Sequence, residues 1–365
     1  MKRINQMEPW LGIKEKEAIL KYLDSGGWLT EYKKTEEFEE NFKSFTGSKY
    51  ASAITNGTLS LVVALLCLDL HPNDEILVPD YTMIASVNSI KLAGGQPILV
   101  DIDPENLCLD LNMAEKKINE RTKGIIYVSN NGRCHNMNKI IQFASQNDLF
   151  IIEDASQSLG CYNNNKHLGT FGTLGTFSLS PTKIITTGQG GMIITDNYEI
   201  YKKIEMIKDY GRPKSGIDYY EILGYNFKFT DLQAVIGLEQ MKKLPWRLKR
   251  KKKMYKFYKD ELENLKKVQL INTNLKETSP WFIDILVNKK DRNSLIEFMK
   301  KENIEIRPFY PAIHTQPPYK YIKGSFDNSL EISERGVWLP SSTFLKNEDI
   351  QLVCNKIKKF YENYR

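Results

Sequence analysis

The chain has little cysteine and no long apolar run. Its five cysteines (Cys67, Cys108, Cys134, Cys161 and Cys354) are odd in number and never form a C-x-x-C pair. That argues against a disulfide framework and a zinc site, and for a reducing, cytoplasmic setting. No metal site is expected. The longest apolar stretch, LVVALLCLDL, falls short of the ~20 residues a membrane-spanning helix needs. The opening MKRINQMEPWLG carries basic residues but no apolar core of a secretory signal. Internal repeats and low-complexity tracts are missing as well. Charge is only mildly unbalanced: 51 Lys and Arg against 45 Asp and Glu leave a net +6, which suits an anionic small molecule as readily as a polyanion. The one dense basic run, residues 249–253, has few interleaved aromatics and acidic residues within two turns. It reads as a solvated helix face rather than a nucleic-acid patch. The expectation is a soluble protein with neither nucleic acid nor membrane as partner.

What is present is a long alternation of two patterns. With 365 residues, 41% of them hydrophobic, the chain suits two domains. The runs YASAITN, DEILVPD, QPILVDID, KGIIYVSN, LFIIEDA, LGTFSLS and GGMIITD read as short strands. Several are apolar throughout, as strands covered on both faces must be. Helical patterns such as TLSLVVALLCL, TMIASVNSIKLAG and MNKIIQFASQN lie between many of them. This order predicts an α/β large domain over residues 1–245, with a mostly parallel seven-stranded sheet flanked by helices. After Leu244 comes a long amphipathic helix, then SPWFIDILV, RNSLIEFMKKEN, IEIRPFYP and a closing helix. A smaller C-terminal α+β domain, residues 246–365, is predicted there.

In open α/β sheets, ligands sit outside the carboxyl ends of the strands, so polar residues at those ends matter most. In ITNGTLS, Asn56-Gly57-Thr58 opens a helix whose free backbone N–H groups make an anion seat, although the same triplet serves as an ordinary N-cap. In IIEDASQSLG, four apolar residues lead to Glu153, Asp154 and Gln157 at a strand end. Asp154 there needs a cationic or hydrogen-bonding partner unless it merely caps the next turn. FSLSPTKIITTGQGG places Ser178, Ser180 and Lys183 in a glycine-rich turn, where a lone lysine is either a solvated turn residue or a desolvated amine. An anion seat, a carboxylate, hydroxyls and an amine are together what pyridoxal 5′-phosphate asks of a protein. Desolvation would lower the lysine pKa and free its amine.

These stretches resemble the DegT/StrS-type sugar aminotransferases, within the aspartate-aminotransferase fold type, over nearly the whole chain. TNGTLSLVVAL stands where that family has SNGTxALxxAL, DEILVPDYTMIASVNSI where it has DEVIVPxxTYIASVNAI, and IIEDASQSLG where it has VIEDAAQAxG. FSLSPTKIITTGQGGMIIT, GYNFKFTDLQAVIGLEQM and IEIRPFYPAIHTQPPY match three further motifs in order. The last is most similar to the perosamine-synthase branch, which aminates C4 of nucleotide-linked 4-keto-6-deoxyhexoses. The resemblance implies that Lys183 is the Schiff-base lysine and Asp154 the partner of the pyridinium nitrogen. It places Gln157 near the ring hydroxyl, Gly57, Thr58 and Ser178 in the phosphate cradle, and Arg307, Tyr310 and His314 near the sugar nucleotide. Asn226 matches a residue that reaches the neighbouring subunit's phosphate, implying a homodimer with shared active sites.

Three departures stand out. Met83 occupies the position of the family's ring-stacking aromatic, with Tyr81 as an alternative. SNNGRCHNM, with Asn131, Arg133 and His135, replaces HLYGxPxDM in a loop expected on the substrate side, with Arg133 available to a phosphate-bearing acceptor. Gln189 replaces a glutamate. The implied activity is a pyridoxal-phosphate-dependent transfer of an amino group from L-glutamate to a nucleotide-linked 4-keto-6-deoxyhexose, giving an amino sugar for surface glycans. Two alternatives stay open: transamination of a small phosphorylated ketone, and a non-catalytic regulator with the same fold, which would be expected to lose Lys183 or Asp154. A sugar 3-dehydratase would carry histidine at the lysine position.

Overall fold

Mostly apolar runs of five to seven residues build the larger sheet, several of them joined by capped helices. A computed structural model describes residues 3–363. Its strands are β1 (Tyr50–Ile54), β2 (Glu75–Pro79), β3 (Gln96–Val100), β4 (Thr122–Val128), β5 (Phe150–Asp154), a short hairpin of β6 (Tyr162–Asn163) and β7 (Lys166–His167), β8 (Leu174–Ser178) and β9 (Gly191–Thr195). The helices Gly57–Leu66, Leu111–Glu115, Met137–Gln146 and Tyr198–Lys208 each start at an Asn or Asp whose side chain accepts backbone N–H groups of the first turn, which satisfies donors the helix cannot.

The seven strands form one sheet in the order β1-β9-β8-β5-β4-β2-β3. β2, β3, β4, β5 and β8 run parallel; helices cross between β2, β3, β4 and β5, and the segment holding the β6–β7 hairpin crosses from β5 to β8. β9 is antiparallel to both β8 and β1. The reason is local: residues 179–190 join β8 to β9 as a turn without a crossover helix, and so short a link reverses the chain. Lys183 sits in that turn. Apolar residues of both sheet faces are buried among the flanking helices.

The smaller sheet is antiparallel, with β10 (Val268–Leu270), β11 (Ile283–Val287), β12 (Arg307–Pro308) and β13 (Gly336–Leu339) in the order β10-β11-β13-β12. The expected 245/246 boundary falls within one continuous helix, Asp231–Leu262, at Pro245. Leu238 and Leu244 of that helix pack with the larger sheet, whereas Met254, Tyr258 and Leu262 pack with the smaller one. Ile4 also joins the smaller core and bridges to Ile304, so the opening residues pack with the C-terminal unit.

The solvated-face reading of residues 249–253 needs correction at one position. Lys249 and Lys253 are exposed, but Lys251 is fully buried. Successive helical residues point about 100° apart, so position 251 turns inward while its neighbours face water. Among the described residues, no helix is long and apolar enough to cross a membrane. No cluster of three His, Cys, Asp or Glu side chains among them is placed to hold a metal ion.

Candidate active site

β5 ends in two carboxylates that point to opposite faces, as strand periodicity demands. Glu153 is fully buried and accepts the backbone N–H groups of Gly169, Phe171 and Gly172 at 2.7, 2.6 and 2.7 Å. Burial raises its pKa, and those three N–H groups oppose the rise. It ties a loop to the sheet. Asp154, on the other face, accepts Ser86 Oγ at 2.7 Å and the Ser156 N–H at 3.1 Å.

Lys183 stands in the same cavity as Asp154. Its Nζ lies 3.9 Å from the centre of the Trp281 ring, and the Trp281 indole N–H donates to Thr182 O at 2.7 Å. Burial lowers the lysine pKa to about 8, with the Asp154 charge pulling the other way. The amine is therefore partly neutral near physiological pH, as a nucleophilic lysine must be.

The helix Gly57–Leu66 aims its N-terminus at this cavity, with Asn56 as its cap. A Cβ at position 57 would lie 2.8 Å from Ser178 Cβ, and one at Gly191 would lie 2.2 Å from Ser60 Oγ and 2.6 Å from Asn56 O. Glycine at both positions lets the end of β8 and the start of β9 close around the helix start. Free N–H groups, a helix dipole and the Ser178 hydroxyl then converge as an anion cradle.

The cavity measures about 370 Å³. Gly57, Thr58, Met83, Asp154, Gln157, Ser178, Lys183, Arg307 and Tyr310 all line it, together with Asn56, Ser180, Gln189 and Trp281. Met83 is 43% exposed there. Burial pushes the Tyr310 hydroxyl up to about 12, with Arg307 opposing the rise and Asp154 adding to it. His314, expected near the sugar nucleotide, is not in the lining, and neither is Asn226, which was expected to serve the neighbouring subunit's site. Asn226 is exposed and bridges to Asp209. His314 is engaged elsewhere: its Nδ1 lies 2.6 Å from Asp80 Oδ2, its N–H donates to Asp80 Oδ1, and its ring stacks on Phe326.

Two further expectations are overturned. Tyr81 is 1% exposed and packs against Phe309 rather than facing the cavity. The 129–136 loop is not a substrate wall either. Arg133 is buried and its terminal guanidinium nitrogens pair with Asp284 and Thr273; Nε has no partner but is buried as well, so the cation is turned to Asp284 rather than to a phosphate. Asn131, in the left-handed region at φ 53°, exchanges hydrogen bonds with the Phe282 backbone and donates to Asp284. His135 bonds to Leu109 O and Asn106. The loop meets the site through the Ser129 N–H, which donates to Asp154 O at 3.3 Å, and the Asn131 N–H, which donates to Gln157 Oε1 at 2.8 Å and so orients that amide.

The residue missed altogether is Trp281. SPWFIDILV reads as a strand, and nothing local in it points to a lysine 98 positions earlier; only the tertiary packing that brings Trp281 to Thr182 and Lys183 does.

A model of the DegT/DnrJ/EryC1/StrS aminotransferase family matches residues 11–358. GDP-perosamine synthase of Escherichia coli O157:H7 is 34% identical over 364 residues, covering 100% of both chains. The GDP-perosamine synthase of Vibrio cholerae is 31% identical, covering 97% of this chain and 98% of its own. Among solved structures, Helicobacter pylori PseC, an aminotransferase involved in pseudoaminic acid biosynthesis, superposes with a TM-score of 0.94 at 24% identity, over 99% of this chain and 100% of that one. That last likeness is one of fold.

Proposed function

The chain belongs to the DegT/DnrJ/EryC1/StrS family of pyridoxal-phosphate-dependent aminotransferases, and from that premise we propose that it moves an amino group from L-glutamate to a nucleotide-linked 4-keto-6-deoxyhexose. The observation that carries the reading is the convergence of Lys183, Asp154 and the Gly57–Ser178 cradle on one cavity at the strand ends. The residues fit the cofactor: a helix N-terminus for its phosphate, a carboxylate for its ring nitrogen and a partly neutral amine for its aldehyde carbon. Pyridoxal 5′-phosphate, when bound, supplies an electron sink that eases proton loss from the carbon bearing the amine.

The protein's own groups do the rest. Lys183 Nζ would take the proton from the donor Cα as general base and hand it, as general acid, to the carbon that had carried the cofactor's aldehyde. Asp154, steadied by Ser86, would hold a proton on the ring nitrogen. Arg307 lies exposed at the cavity wall with its guanidinium 5.8 Å from the Trp338 ring centre, open to an anionic acceptor. Asn226, outside the cavity and exposed, would serve the site of a second copy in a homodimer. The full-length likeness to two GDP-perosamine synthases favours a GDP-linked sugar. Five unpaired cysteines fit a cytoplasmic enzyme.

The small-ketone alternative drew its support from the 129–136 loop. Residues 129–133 of that loop are buried, with Asn131 and Arg133 bonded to Asp284 of β11, which weakens the reason to prefer it. A direct test supplies L-glutamate with UDP-, GDP- and dTDP-linked 4-keto-6-deoxyhexoses and follows release of 2-oxoglutarate. Turnover with the GDP sugar and its loss in Lys183→Ala are expected. Failure with every nucleotide sugar, alongside turnover of a keto-phosphate, would replace this reading with the small-ketone one.

A further inference from the structure

Lys251 is fully buried in the middle of the helix Asp231–Leu262. Its Nζ donates to Trp281 O at 2.6 Å and to Ser341 O. No carboxylate pairs with it among the described residues. Burial, and then repulsion from Arg247 one turn earlier, lower its pKa to about 7. Burying an amine against carbonyls alone is costly, and a methionine would fill similar space without that cost. Packing by itself therefore does not account for the residue.

The two carbonyls do. Ser341 is fixed on the smaller domain: its N–H donates to Gln6 O at 2.7 Å, and its hydroxyl donates to Leu339 O and accepts the Ile283 N–H. Trp281 leads into β11 and turns its ring to the cavity. The indole N–H holds Thr182 O at 2.7 Å, and the ring face lies 3.9 Å from Lys183 Nζ. A chain of direct contacts thus runs from Ser341 through Lys251 and the Trp281 peptide to the reactive turn.

We infer that Lys251 is a positioning residue for Lys183, acting through Trp281: it anchors the Trp281 peptide so that the indole holds the turn at Thr182 and covers one side of the Lys183 amine. A ring face against the amine keeps water off it and narrows the angles from which it can attack. The inference rests on the reading of Lys183 as the residue that bonds the cofactor.

The test uses the full-length protein freed of cofactor. Pyridoxal 5′-phosphate is added, samples are reduced with borohydride over time, and the secondary amine formed at Lys183 is quantified by peptide mass. Lys251→Met and Trp281→Phe are each expected to slow the reaction roughly tenfold, in keeping with how strongly small displacements of a reacting group affect rate. The double variant is expected to be no slower than the slower single one, because both act through the same contact. Should Lys251→Met fail to fold, Lys251→Gln, which retains an N–H donor, is expected to show a smaller loss of the same kind. Trapping at the wild-type rate in the Lys251 variants would overturn the inference, and so would multiplicative losses in the double variant, since a purely structural lysine would lower Tm without touching this rate. No adduct at Lys183 in the wild type would overturn the reading of Lys183 itself, and the inference with it.

Discussion

Gly57 and Ser178 meet so closely that a Cβ added to Gly57 would lie 2.8 Å from the Cβ of Ser178. Alanine is the better helix former by about 1 kcal/mol, so Gly57→Ala would favour the helix taken alone. At this position the added methyl must push the helix start away from β8, and the cradle opens. Gly57→Ala is expected to weaken retention of pyridoxal 5′-phosphate about tenfold or more, the worth of one hydrogen bond to a charged group. Spectrophotometric titration of cofactor-free protein measures this, with Tm as the control for folding. An unchanged affinity would remove Gly57 from the phosphate site.

The amine of Lys183 should show its environment in its pH dependence. Burial brings its pKa from 10.5 down to about 8, and Asp154 holds it from falling further. Only the neutral amine attacks an aldehyde, so labelling of Lys183 should rise through pH 8 and level off above it. In Asp154→Asn the opposing charge is gone, and the midpoint should move to lower pH. An upward shift in that variant would contradict the placement of the two groups.

How much of this was legible in the sequence depends on the range of the interaction. Gly57, Asp154, Ser178 and Lys183 were readable because each follows an apolar strand run, and a strand end in a parallel sheet is where ligands bind. The seven strands were readable for the same reason. The antiparallel course of β9 was not inferred, since the alternation pattern carries no direction. Charged residues failed most clearly. Arg133 looked like a free cation and Lys251 like part of a solvated run, because their partners, Asp284 and the Trp281 and Ser341 carbonyls, lie 30 to 151 positions away. A local pattern shows that a charge is present; the tertiary fold decides whether it faces water.

The Arg133–Asp284 pair gives a stability prediction. Both side chains are nearly inaccessible, 4% and 1% exposed. Asp284→Ala leaves the guanidinium buried without its carboxylate and should cost about 3–5 kcal/mol, measured by urea unfolding. Adding Arg133→Met removes the stranded cation and should recover part of that loss. Failure to recover any of it would mean that the deficit arises elsewhere, for instance from Asn131, which donates to the same carboxylate.

Arg307 and His314 come from one sequence motif, and the structure separates them. Arg307 is exposed on the cavity wall, so Arg307→Ala should raise KM for a phosphate-bearing acceptor roughly tenfold, as loss of a charge-assisted contact does. Its Tm should hardly move, as for most exposed positions. His314→Ala should do the reverse, leaving KM near the wild-type value and destabilising the fold by about 1–3 kcal/mol, because the buried Asp80 carboxyl loses its imidazole partner and keeps only the backbone N–H of position 314. Burial already raises the Asp80 pKa, and the His314 contacts oppose that rise. Without the imidazole the folded state holds the Asp80 proton to still higher pH than the unfolded chain does. Stability linked to this group therefore falls as pH rises above the ordinary carboxylate range, and the deficit of the variant should widen in that direction. Urea midpoints across pH, set beside KM values for both variants, check the pair together. A KM rise confined to His314→Ala would return that residue to the substrate side.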